Sequence, residues 1–321
     1  MASAEQIKAL IKSHYSSDSD QFTTLALQVA ASEARKGHTN LAADIKQLVT
    51  RGKKNTWPLR ALASKNGLDD ILQAVEPTSR LSTLIANNDL KEGLERIILE
   101  FKQRSKLEKH GLSHRRKILL TGPPGTGKTM TATIIAKELG LPLYLIYTDK
   151  IITKYMGETA AKLRQVFDFI SMQLGVYLFD EFDAIGAERS RDNDVGEIRR
   201  VLNSFLQFLE EDDSPSFVIA ATNHLSLLDQ ALFRRFDDVL FYYLPTKFEV
   251  VELIRNRLAN FGFKFKLENI PAKNYEGLSH AEITQACDDA IKASILSGKV
   301  TIQKPMLLKM LTARKQVYGI K

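Results

Sequence analysis

The chain has 321 residues, 44% of them hydrophobic and 26% charged, which allows two to three domains with buried cores and excludes a peptide, a fibre or a disordered tail. No apolar run approaches the roughly 18 residues of a membrane span, so no membrane partner is expected. No basic segment leads into an apolar core at the N-terminus, and the single cysteine, Cys287, cannot form an internal disulfide, so a reducing, cytoplasmic location is expected. The net charge of +7 is uneven: residues 1–116 carry 19 Lys/Arg against 13 Asp/Glu, residues 117–245 carry 13 against 18, and residues 246–321 carry 13 against 7. Both signs are interspersed, so the basic ends read as solvated helical surface, with nucleic acid or an acidic protein surface as the alternatives.

The first 50 residues contain no proline and one glycine, Gly37. Apolar residues recur at helical spacing in Ile7, Leu10 and Ile11, in Leu25, Ala26 and Val29, and in Leu41, Ile45 and Leu48. This predicts three helices, with breaks at Ser16 to Asp20 and Lys36 to Asn40. Trp57-Pro58 and Glu76-Pro77-Thr78 interrupt the pattern and predict a linker between about residues 53 and 80. Residues 1–80 are therefore read as an all-α N-terminal domain plus linker, either a decoration of the main domain or a separate docking module.

A helix over Leu90 to Lys109 leads into Lys117 to Thr121, a short apolar run of the kind that forms a buried parallel strand. Similar runs at Leu141 to Tyr147, Val176 to Asp180, Phe217 to Thr222 and Val239 to Leu244 have amphipathic stretches between most of them. Alternation of this kind predicts an α/β fold, a doubly wound parallel five-stranded sheet over residues 81–245 whose ligands sit beyond the carboxyl ends of its strands. After Pro245 the strands stop. Lys247 to Asn260, Ala281 to Leu296 and Lys304 to Tyr318 read as helices of a small C-terminal domain over residues 246–321.

The strand ending at Thr121 runs into Gly122-Pro123-Pro124-Gly125-Thr126-Gly127-Lys128-Thr129 and then a helix from Met130 to Leu139. This is the pattern of a phosphate-binding loop, or P-loop. Its glycines let successive backbone N–H groups turn onto phosphate oxygens, and the helix start adds the positive end of its dipole. Lys128 is expected to reach the β- and γ-phosphates, and Thr129 to ligate magnesium through its hydroxyl. The strand Val176 to Phe179 delivers Asp180 and Glu181 at its carboxyl end. Asp180 is expected to hold the magnesium, usually through water, and Glu181 to orient and deprotonate the attacking water. The pairs Asp69-Asp70 and Asp212-Asp213 lack this context and read as surface charge.

These motifs, together with the segments between and beyond them, resemble the AAA ATPases over about residues 81–321. Phe217 to Asn223 is similar to the strand that bears the family's first sensor, which implies that Asn223 contacts the γ-phosphate or the attacking water. Leu228 to Asp237 resembles the family's second region of homology, and Arg234 and Arg235, adjacent as in the katanin and spastin branch, are implied to act as arginine fingers. A guanidinium suits that task because its charge is planar and permanent. Lys154-Tyr155-Met156-Gly157-Glu158 resembles the first pore loop, implying that Tyr155 grips an extended polypeptide in a central channel, and Arg189 to Glu197 would correspond to a second. Gly277 to Ile283 resembles the Gly-x-Ser-Gly-Ala-Asp stretch of the family's helical lid domain, which implies nucleotide contacts at His280 and Ala281. His280 stands there in place of a glycine and Glu282 in place of an aspartate. No arginine occupies an obvious second-sensor position.

The resemblance implies hydrolysis of ATP with Mg2+ by a homo-oligomeric ring, expected to be a hexamer. Its expected work is to unfold or remodel a protein met through the pore and the N-terminal helical domain. In such a ring Arg234 and Arg235 would complete a neighbour's site. The alternatives are a nucleic-acid-handling machine of the loader type, and a nucleotide-switched regulator of a partner effector such as a protease.

Overall fold

The structure is a computed structural model that describes residues 8, 13, 19–38, 41–47, 68–152, 156–183, 195–224, 233–298 and 301–317. The chain divides into two compact units, Met1–Leu62 and Ala63–Lys321. In the first, helix α1 (Ser19–Arg35) buries Ala26, Val29 and Ala30, which recur at helical spacing. It ends in a turn at residues 36–38, where His38 Nδ1 lies 2.7 Å from Glu33 Oε2, and residues 41–47 are helical again. The first of the three expected helices falls largely outside the described residues.

The second unit holds a six-stranded sheet of β1 (Leu72–Val75), β2 (Lys117–Thr121), β3 (Leu143–Tyr147), β4 (Val176–Asp180), β5 (Phe217–Thr222) and β6 (Asp238–Phe241). Its order is β1-β3-β4-β5-β2-β6. Strands β2 to β6 pair in parallel, as the alternation in the sequence predicts. The sixth strand is a correction. β1 lies in the expected linker and pairs antiparallel with β3, Leu72 opposite Ile146 and Val75 opposite Leu143. At a sheet edge only Leu72 is buried, so the segment lacks the continuous apolar run of a central strand.

Helices α2 (Asn88–Lys102), α3 (Lys128–Leu139), α4 (Met156–Met172) and α5 (Val195–Glu211) accompany the sheet. Alternate residues of each strand serve opposite faces. Ile118, Leu120, Val176, Leu178 and Ile219 pack with Leu94, Ile97 and Phe101 of α2 and Ile135 of α3. On the other face Tyr177 stacks on Tyr144 with ring centroids 4.8 Å apart, and Phe179 meets Phe205 of α5 at 5.0 Å. The helix expected over Leu90 to Lys109 is two pieces, α2 and a short helix Arg104–Glu108, divided at Gln103.

Asp69 and Asp70 are exposed, as surface charge should be. Asp212 is a second correction. It is buried, with Oδ2 and the backbone carbonyl both accepting from the Arg116 guanidinium. Its partner lies ninety-six residues earlier in the chain, where no local pattern could announce it. Asp213 remains exposed.

Past β6, helices α6 (Lys247–Leu258), α7 (His280–Leu296) and α8 (Lys304–Val317) enclose a separate core that includes Ile254, Leu258, Ile283, Cys287, Leu307 and Leu311. Reciprocal caps start two of them. Thr246 pairs with Glu249 before α6, and Ser279 with Glu282 before α7. Glu282 thus caps a helix here. Burial pushes the Cys287 thiol up to about 12, far from reactive thiolate behaviour. Among the described residues, no helix is long and apolar enough to cross a membrane.

Candidate active site

The phosphate loop leaves β2 at Thr121 and enters α3 at Lys128. Gly122 passes so close to Tyr242 that a Cβ would lie 2.3 Å from the tyrosine's carbonyl oxygen, so any larger residue would force backbone apart. Gly125 has φ +71°, and a Cβ there would lie 2.6 Å from Ser279 Oγ. Its carbonyl accepts from the Ala281 N–H at 3.0 Å, which docks the loop onto the first turn of α7 and so onto the helical domain. Thr126 Oγ1 donates to the Pro123 carbonyl at 2.7 Å and braces the turn.

Lys128 is buried, and its Nζ donates to the carbonyls of Gly122 and Pro123 at 2.7 and 2.8 Å. Burial lowers its pKa from the usual lysine value, opposed by the carboxylates of Asp180 and Asp183. The Met130 side chain packs against the apolar cluster between the sheet, α2 and α3. Thr129 Oγ1 donates to Asp180 Oδ2 at 2.8 Å, joining the loop to the end of β4.

Asp180 Oδ1 accepts the N–H of Glu181 at 2.9 Å. Among the described residues Glu181 alone of the non-glycines has a positive φ, +51°, a conformation that costs about 1–2 kcal/mol. What holds it there is its neighbour. Phe182 is fully buried against Phe205 and donates its N–H to the Ala221 carbonyl of β5 at 2.8 Å. Between two anchored residues the Glu181 side chain is turned outward and exposed. Asn223 comes directly after β5, half-buried, with its N–H 3.5 Å from Asp183 Oδ1. Because β4, β5 and β2 are adjacent and parallel, Asp180, Asn223 and Gly122 all emerge at one end of the sheet.

Beside the loop is a cleft with Asn87 and Leu90 at the start of α2, Thr126 of the loop, Tyr242 to Leu244 and Thr246 after β6, and His280 on its walls. The sequence alone points only to Thr126 and His280 of these. Asn87 caps α2 through Leu90 N–H, and Thr246 belongs to a Thr-x-x-Glu box, so cap signatures are the available signal for these two. Their meeting in one cleft has none.

Arg234 and Arg235 are not brought to this end. They precede β6, and the Asp237 N–H bonds the Lys117 carbonyl at 2.7 Å, at the start of β2, whereas Tyr242 N–H bonds Thr121 at its end. About 13 Å of strand lies between those levels. Both arginines are exposed, and Arg235 pairs with Glu210 of α5. Lys154, Tyr155, residues 189–194 and residues 225–232 lie outside the described residues, as does the side chain of Met156.

A mostly parallel α/β sheet with a glycine-rich phosphate loop on one strand and an acid pair on another defines a P-loop nucleotide hydrolase. The profile described as "ATPase family associated with various cellular activities (AAA)" matches residues 118–244. Over 312 residues the chain is 35% identical to an uncharacterized AAA family ATPase of Sinorhizobium fredii, covering 95% of this chain and 93% of that protein. It is 33% identical over 222 residues to the proteasome-activating nucleotidase of Sulfurisphaera tokodaii, covering 66% of this chain but only 56% of that one. The crystal structure of the FIGL-1 AAA domain superposes with a TM-score of 0.61 at 22% identity, over 82% of this chain and 96% of that domain. The chain belongs to the AAA ATPase family, and ATP hydrolysis is its reaction.

Proposed function

We propose that this chain assembles into a homo-oligomeric ring, a hexamer, and uses ATP hydrolysis to unfold or remodel a protein. In this reading residues 81–245, with β1, form the ATPase core, residues 246–321 its lid, and the N-terminal helices a docking region for the protein substrate. The backbone N–H groups of Gly122 to Met130 and the Lys128 ammonium bind the phosphates, and His280 and Ala281 contact the nucleoside. Asn223 senses the γ-phosphate or the attacking water. The Thr129 hydroxyl and the Asp180 carboxylate, 2.8 Å apart, offer two hard oxygens on one side of the site. That suits Mg2+, which keeps waters and substrate phosphates for its other positions, and among the described residues no cluster of three or more His, Cys, Asp or Glu side chains forms a closed metal cage. When bound, Mg2+ supplies charge neutralisation on the β- and γ-phosphates. Glu181 accepts the proton of the attacking water at its exposed carboxylate.

The observation that carries the ring is the separation of Arg234 and Arg235 from the phosphate loop along the parallel β2/β6 register. A chain whose own fingers cannot reach its own nucleotide is complete only beside a second copy. The proteasome-activating nucleotidases among the relatives support a protein as the substrate. The test compares stimulation of the ATPase by an unfolded protein and by DNA at two salt concentrations, in wild type and Tyr155→Ala. The reading expects stimulation by protein, lost in Tyr155→Ala while basal ATPase stays near wild type and retained in Tyr155→Phe, because the grip needs an aromatic face. Stimulation by DNA alone, falling steeply with salt and indifferent to Tyr155, would favour nucleic-acid handling instead.

A further inference from the structure

The peptide unit that joins the two acids at the end of β4 is held at both of its polar ends. Asp180 Oδ1 accepts the Glu181 N–H at 2.9 Å, and the Asp180 carbonyl accepts the Thr148 hydroxyl at 3.1 Å. A peptide is planar, so the two bonds together fix its rotation about the chain, and that rotation enters both ψ of Asp180 and φ of Glu181. Glu181, at φ +51°, occupies a conformation that an L-residue holds only when its surroundings impose it. The direction of its Cβ, and so of its carboxylate, depends on how the preceding peptide lies and on that angle. Releasing the Asp180 carbonyl would free the peptide to turn and Glu181 to relax toward negative φ, which widens the directions its carboxylate takes.

Thr148 is itself firmly placed. It comes directly after β3, whose last residue, Tyr147, lies opposite Asp180 in the parallel register. It opens the short helix Thr148–Ile151, in which Ile151 is fully buried. The Ile152 N–H returns to the Thr148 carbonyl at 3.2 Å, and Lys162 of α4 donates to the Lys150 carbonyl at 2.9 Å. Thr148 is buried, so water does not readily replace its hydroxyl, and the one proton that a hydroxyl can donate goes to Asp180. Glu181 is thus anchored from both sides: Phe182 bonds Ala221 of β5 after it, and Thr148 of the β3 side bonds the peptide before it.

We propose that Thr148 is a positioning residue for hydrolysis: its hydroxyl fixes the Asp180–Glu181 peptide and thereby aims the Glu181 carboxylate at the attacking water. Thr148 acts through the backbone and takes no part in the proton transfer. The inference rests on the reading of Glu181 as the base, and its test separates the two.

Turnover, equilibrium ATP affinity, Mg2+ dependence and melting temperature would be measured for wild type, Thr148→Val, Thr148→Ser, Glu181→Gln and the double variant Thr148→Val with Glu181→Gln. Thr148→Val keeps the shape of the side chain without its hydroxyl and should lower kcat about tenfold, the worth of one buried hydrogen bond, with ATP affinity unchanged. Thr148→Ser keeps the donor and should recover most of that loss. Because Thr148 works through Glu181, Thr148→Val should cost nothing further once Glu181 is already Gln. Wild-type kcat in Thr148→Val, whatever its melting temperature, would overturn the proposal. So would a loss of the same size in both backgrounds, a loss that Thr148→Ser does not relieve, or one that added Mg2+ cures, which would place the effect on the Asp180 carboxylate. If Thr148→Val does not fold, Thr148→Ala is compared with Thr148→Ser by the same measurements. If Glu181→Gln turns over ATP at close to the wild-type rate, the reading of Glu181 as base fails first.

Discussion

The two ends of the parallel strands are built on opposite principles. At the carboxyl end the acid pair is open to the site: Glu181 sits at positive φ facing outward, and Asp180 holds only the Thr129 hydroxyl and the Glu181 N–H with its carboxylate. At the amino end a charge pair is sunk. Arg116 and Asp212 form a buried ion pair, and Asp237 Oδ2 accepts the N–H groups of both Arg116 and Lys117 at 2.9 Å, pinning the turn that carries Arg234 and Arg235. One end leaves its groups available to a ligand, while the other uses them to fix a surface. Since the same strands join the two ends, the fold that positions the arginines also keeps them from their own phosphate loop.

Breaking the carboxyl end should have the largest effect. Glu181→Gln should lower kcat about 10²–10⁴-fold while ATP affinity stays near wild type, because the carboxylate acts on the attacking water and the amide cannot take its proton. Single-turnover kinetics beside equilibrium binding measures both, and near-normal turnover would remove Glu181 from the role of base. Damage at the amino end should appear as stability instead. Arg116→Ala leaves the Asp212 carboxylate, 2% exposed, without its guanidinium, and unfolding free energy should fall by about 3 kcal/mol or more. The double change Arg116→Met with Asp212→Leu should recover much of that loss. Denaturant titration checks it, and a single variant as stable as wild type would mean that the pair does not anchor this end.

Legibility in the sequence divides along similar lines. Strands β2, β4 and β5 have the bounds their apolar runs predict, because burial on both faces confines their charged and hydroxyl-bearing aliphatic residues to the strand ends. The loop and the acid pair are local in sequence, each delivered by one strand. β1 is illegible because an edge strand of four residues with Glu76-Pro77 directly after it carries the marks of a linker. Asp212 reads wrongly as surface because its burial depends on Arg116, and the cleft walls escape the sequence because residues 86–90, 241–249 and 280 converge only in the fold. His280 is legible as a substitution in a motif. That its nitrogens lack partners comes only from the structure.

Completion of the site by a second copy is tested most directly by mixing two inactive proteins. Arg235→Ala keeps Glu181 but lacks a finger, and Glu181→Gln keeps Arg235 but lacks the base. Alone, each should hydrolyse ATP slowly, Arg235→Ala by about 10³-fold with little change in affinity. Mixed at a concentration that supports assembly, they should exceed the sum of their separate rates, and the gain should vanish on dilution. A mixture that only averages its components, with wild-type specific activity independent of concentration down to a sedimenting monomer, would contradict completion in trans.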